Sequence, residues 1–189
     1  MAFWQRKCQK TKFFTQKNNR AIIFASFFTE VIMKLFITNR ARVERMGREG
    51  FLEKVALLSI TDYGDAPLEL EKKPKFLLQL SFDDVPLGKA LEAEYGRKLT
   101  DEEIVNAEKE LHALSDEQAK MIVDFYNEVY GRAVVLICQC EHGESRSAAI
   151  AAAIMEHRYK KGIRIFADER YCPNKSIFKK ILCFLSQQQ

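Results

Sequence analysis

Eight consecutive residues in the last third of the chain could carry out a displacement at phosphorus: Cys140-Glu141-His142-Gly143-Glu144-Ser145-Arg146-Ser147. An apolar run ends just before them, and an Ala-rich helical run follows from Ala148. A short loop between a buried strand and a helix can turn successive backbone N–H groups inward as an anion nest. The helix start adds unpaired donors and a partial positive charge. Arg146 offers a planar fork that fits a phosphate-like oxyanion. Cys140 stands at the opening of the nest, where a thiol pKa near 8.5 can fall to about 3.5–7.5. Ser147 can donate a hydrogen bond to that sulfur. Nucleophile, anion holder and supporting hydroxyl thus lie together, as attack on a phosphate ester requires.

Single residues of this set mean little. A Cys at the end of a buried strand is ordinarily packed core, and an Arg at a helix start is ordinarily solvated. The joint spacing of Cys140, Gly143, Arg146 and Ser147 moves the reading to catalysis. Cys138 reads as core, turned away from the loop by strand alternation, with a redox partner for Cys140 as the sharper alternative. Cys138 and Cys140 lack the further ligands of a metal pair, so no metal is expected. His112 and His157 read as surface residues.

The elements around the loop read as alternating strands and helices. Strands are expected at Leu35–Thr38, Val55–Ile60, Lys75–Phe82 and Ala133–Cys138. Helices are expected at Arg40–Phe51, after Thr100, from Ser115 to about Tyr130, from Ser147 to about Lys161 with Gly162 as stop, and at Lys175–Leu185 under an Asn174 cap. Ser115 and Gln118 match a capping box. The helix they open shows Met121, Ile122, Phe125 and Val129 on one face. The pattern predicts one α/β domain with a central, mostly parallel sheet flanked by helices. The strand Ala133–Cys138, apolar on both faces, should be central. Ligands in such sheets bind outside the carboxyl ends of the strands, which points to residues 139–147.

Length and charge agree with one domain. The chain has 189 residues, 47% hydrophobic and 30% charged, with no apolar stretch near the ~20 residues of a membrane span. Residues 1–32 hold six basic side chains and one acid, leaving 24 basic and 25 acidic residues in 33–189. The net charge of +4 therefore belongs to the leader, and the near-neutral body argues against long nucleic acid. Residues 1–32 read as a dispensable extension before a domain that starts at Met33, with a short amphipathic helix or a targeting segment as alternatives. Five cysteines in no disulfide or zinc pattern fit reduced thiols in a cytoplasmic protein.

The run from Cys140 to Ser147 resembles the signature of the cysteine-dependent protein tyrosine phosphatases, and Ser145-Arg146-Ser147-Ala148 is closest to their dual-specificity branch. Cys172-Pro173-Asn174, with Phe178 and Leu182, is similar to the helix that closes those domains. The compact bacterial and phage members are nearest in length. The resemblance implies a cysteinyl-phosphate on Cys140, with residues Glu141, His142, Gly143, Glu144, Ser145 and Arg146 cradling the phosphate. It implies that Ser147 steadies the sulfur and that an Asp acts as general acid, which leaves His142 outside that role. Phe82-Asp83-Asp84-Val85-Pro86 holds the best candidates, Asp84 ahead of Asp83, with Asp62 and Asp65 third. It implies phosphorylated protein or a small phosphoester as substrate, and no metal, cofactor or membrane. Three departures stand out. Gln139 replaces the family's usual His before the nucleophile. Glu141 and Glu144 bring negative charge into the loop. Residues 86–114 read as an inserted helical segment, a lid or substrate wall. The alternatives are a phosphate-binding module without turnover, or the same fold acting on an RNA 5′-phosphate or a phosphorylated metabolite.

Overall fold

Two runs without a charged residue, Val55–Thr61 and Val135–Cys140, form the middle of the sheet. The structure is a computed structural model and describes residues 33–187. The readings made for residues 1–32 lie outside the described residues. In chain order the strands are β1 (Lys34–Asn39), β2 (Val55–Thr61), β3 (Phe76–Ser81) and β4 (Val135–Cys140), arranged β1-β4-β2-β3. All three pairings are parallel. Every residue of β2 is buried, as expected of a strand covered on both faces.

The helices are α1 (Arg40–Glu49), α2 (Leu91–Tyr95), α3 (Asp101–Glu110), α4 (Asp116–Val129), α5 (Arg146–Tyr159), α6 (Ile163–Phe166) and α7 (Lys175–Ser186). Leu58, Leu136 and Cys138 face the larger core, built with α4, α5 and α7; Leu57 and Ile137 face the smaller one, with Val43 of α1. Nine consecutive residues of α5, Arg146–Ile154, are buried. A helix enclosed all round must be thin, and its alanines let it lie close against its neighbours.

The capping boxes at Thr100 and Ser115 both form, and Asn174 caps α7 through Ser176 and Ile177 N–H. The sequence reading needs four corrections. The central strand runs Val135–Cys140 rather than Ala133–Cys138, because pairing with β1 continues to Asn39 opposite Cys140. Met121 is 45% exposed, and Val123 and Tyr126 fill the core in its place. Lys160, in the left-handed conformation, ends α5 rather than Gly162. Gly162 instead lies where a Cβ would stand 2.6 Å from the Ala152 carbonyl oxygen. Finally, Cys138 shares its face of β4 with Cys140, since residues two apart on a strand point the same way. Residues 86–114 form α2 and α3 with a small core of their own, Leu91, Ile104 and Ala107. No helix among the described residues is long and apolar enough to cross a membrane.

Candidate active site

Cys140 is the last residue of β4, and Arg146 is the first of α5. The five residues between return the chain to the sulfur: Cys140 Sγ and Ser147 Oγ are 3.1 Å apart, both buried. The N–H groups of His142, Gly143, Glu144 and Ser145 donate to no other described residue. Their carbonyls are used differently. Arg40 N–H donates to the Glu141 oxygen at 3.2 Å and Cys172 N–H to the Glu144 oxygen at 3.0 Å. The loop is therefore braced through its acceptors, while its donors stay available to an anion.

Gly143 is what lets the loop close on β1. Its φ is +77°, and a Cβ there would lie 2.5 Å from the Thr38 carbonyl carbon. His142 and Glu144 are exposed and Glu141 is half-buried.

Arg146 is 4% exposed, so its charge must be met inside the protein. One guanidinium nitrogen, Nη1, donates to the Phe82 carbonyl oxygen at 2.7 Å and also pairs with the Asp62 carboxylate. Its Nε is buried with no partner among the described residues. An unpaired buried donor calls for an acceptor, and an oxyanion supplies one. Gln139 is fully buried, and its Oε1 accepts from Ser59 Oγ at 2.6 Å. Burial, and secondarily Cys140, push the Cys138 thiol up to about 12, which makes it inert at neutral pH.

The candidate acids separate clearly. Asp84 is exposed, and one of its oxygens accepts from Asn174 Nδ2 at 2.9 Å. Asp83 turns back and accepts from Tyr63 N–H at 2.8 Å. Asp62 is engaged by Arg146. Three features lay beyond sequence reasoning: Asp62 and Phe82 as holders of Arg146, the contact of Asn174 with Asp84, and the stacking of Tyr63 on His112. No local signal could have found them, because each joins segments far apart in the chain.

No family model matches the chain, and no curated protein matches it. Solved structures do. Several of them are named as phosphatases, a putative dual specificity phosphatase of mouse among them. PTPMT1 in complex with PI(5)P is 12% identical, with 84% of this chain and 94% of that one covered at a TM-score of 0.48. Tk-PTP in its active form is 14% identical, with 84% and 95% covered at 0.49. The PTP-2 phosphatase of Cydia pomonella is 16% identical, with 81% and 86% covered at 0.49.

Proposed function

We propose that the chain hydrolyses phosphate monoesters, on protein tyrosine and also serine or threonine, through a cysteinyl-phosphate at Cys140. The observation that carries this reading is the loop itself: four consecutive N–H groups without partners among the described residues, beside a buried Cys–Ser pair and a buried arginine whose Nε likewise has no partner among them.

The Cys140 thiolate attacks phosphorus, the S–P bond forms and the ester P–O bond breaks. The loop N–H groups and Arg146 hold the equatorial oxygens as charge develops on them. Asp84 gives its proton to the departing oxygen; Asn174 fixes one carboxyl oxygen and leaves the other for the proton. Water then attacks phosphorus, Asp84 takes its proton, and the S–P bond breaks. Ser147 Oγ stabilises the returning thiolate by hydrogen bonding. A second reading, a phosphate-binding module without turnover, draws on the Asp62–Arg146 pair, with which a bound oxyanion must compete.

Hydrolysis of p-nitrophenyl phosphate by the full chain separates the two. The Cys140→Ser variant should lose turnover and keep phosphate binding. Asp84→Asn should lower kcat by at least about 10²-fold, the usual range for a lost general acid, with Asp83→Asn much milder. Retention of most of the rate by Cys140→Ser would overturn the enzyme reading.

A further inference from the structure

Tyr63 is a large aromatic left 57% exposed, yet its ring stacks on His112 at 3.5 Å and 14°. His112 holds that position with φ +47°, a conformation few residues other than glycine adopt. Strain of this kind persists only where the surroundings enforce it, and it gathers at functional sites. The enforcing contacts are all present. Asp83 N–H donates to the His112 carbonyl oxygen at 2.9 Å, and the Asp83 carboxylate accepts from Tyr63 N–H at 2.8 Å. The residues just before Asp83 and Tyr63 are Phe82 and Asp62, the two that hold Arg146. The ring pair is thus tied through the backbone to the arginine of the phosphate loop. His112 covers one face of Tyr63, and the exposure of Tyr63 leaves ring surface open to a ligand.

We propose that the Tyr63–His112 stack is the wall against which the leaving group of the phosphoester lies, and that it selects aryl over alkyl esters. This rests on the phosphatase reading above. Tyr63 touches the substrate ring as a further stacked layer. His112 is a positioning residue that keeps Tyr63 upright.

The test measures binding and turnover in the full chain. Affinities for phenylphosphonate and methylphosphonate are compared in wild type, Tyr63→Ala, Tyr63→Phe and His112→Gly. Tyr63 is exposed and glycine suits φ +47°, so these changes spare the fold. Tyr63→Ala should weaken phenylphosphonate about three- to tenfold, the range of one aromatic pair, and leave methylphosphonate unchanged. Tyr63→Phe should keep wild-type affinity for both, and His112→Gly should lose part of the phenyl preference. With phosphotyrosine as substrate, Tyr63→Ala should raise KM while kcat holds, and phosphoserine should be unaffected. Equal weakening of both phosphonates would overturn the wall and make the stack a loop brace; no weakening of either would also overturn it. A wild type that binds phenylphosphonate with the predicted Tyr63 dependence but hydrolyses no ester would support the wall and overturn the phosphatase reading. A wild type that binds neither phosphonate overturns both.

Discussion

Substituting Gly143 by alanine should damage the Cys140–Ser147 loop more than its conformation alone explains. Gly143 and Gly131 share a φ of +77°, but their surroundings differ. A Cβ on Gly131 meets nothing within 4 Å, whereas one on Gly143 meets three backbone atoms of Thr38 and Asn39 at 2.5–2.7 Å. Backbone atoms of an edge strand cannot swing aside as a side-chain tip can. The left-handed conformation costs a non-glycine residue about 1–2 kcal/mol, which should be the whole penalty at Gly131. Overpacking adds about 1–3 kcal/mol at Gly143. For a domain of this size each kcal/mol is about 2–4 °C in Tm, so Gly143→Ala should melt roughly 2–12 °C below Gly131→Ala. Part of the clash can be relieved by the loop lifting off β1, and that movement would spread the N–H groups. Vanadate affinity should then fall in Gly143→Ala and stay unchanged in Gly131→Ala. Thermal melts and vanadate titrations of the two variants decide the matter. Equal Tm shifts together with unchanged vanadate affinity would refute the close approach of Gly143 to β1.

Arg146→Lys should be nearly as harmful to kcat/KM for p-nitrophenyl phosphate as Arg146→Ala, each about 10²–10³-fold, because a point charge cannot reproduce the planar fork; full activity in the lysine variant would show that Arg146 does not clamp the phosphoryl group. Asp62→Asn leaves the Arg146 charge without its carboxylate. Breaking a buried pair costs about 3–5 kcal/mol, but the Asp62 side chain is 42% exposed, so a loss of about 1–2 kcal/mol is expected. Millimolar phosphate should restore much of that loss by taking the carboxylate's place, and thermal melts with and without phosphate would show it. The Cys138 thiol, raised in the folded state to about 12, binds its proton more tightly there than in the unfolded chain, where a thiol titrates near 8.5. Its contribution to stability is therefore complete below about pH 8.5 and is lost as pH rises toward 12. Urea midpoints across that window should fall more steeply for wild type than for Cys138→Ala; parallel curves would remove the thiol from the account.

The alternation of strands and helices, the Ser115–Gln118 capping box, the helix start at Thr100 and the span from Cys140 to Ser147 are local properties. Each depends on residues within a turn or two, and so each was legible in the sequence. Glycine at 143 was also legible, but only as a loop residue; that it must be glycine follows from β1 passing behind it. The end of β4 was misjudged because pairing with a strand a hundred residues earlier, not composition, carries it on to Cys140. What holds Arg146 was invisible for the same reason. The Phe82 carbonyl lies 64 positions away, Asp84 and Asn174 are 90 apart, and Ser59 reaches Gln139 over 80. Nothing in the spacing of these residues announces their contact. A parallel sheet brings the carboxyl ends of all its strands to one edge, and with them the loops that follow β1, β2, β3 and β4. The eight-residue run was therefore readable from the chain alone, whereas the contacts of Arg146 with Asp62 and Phe82, of Asp84 with Asn174 and of Tyr63 with His112 were decided by the sheet order that sets those ends side by side.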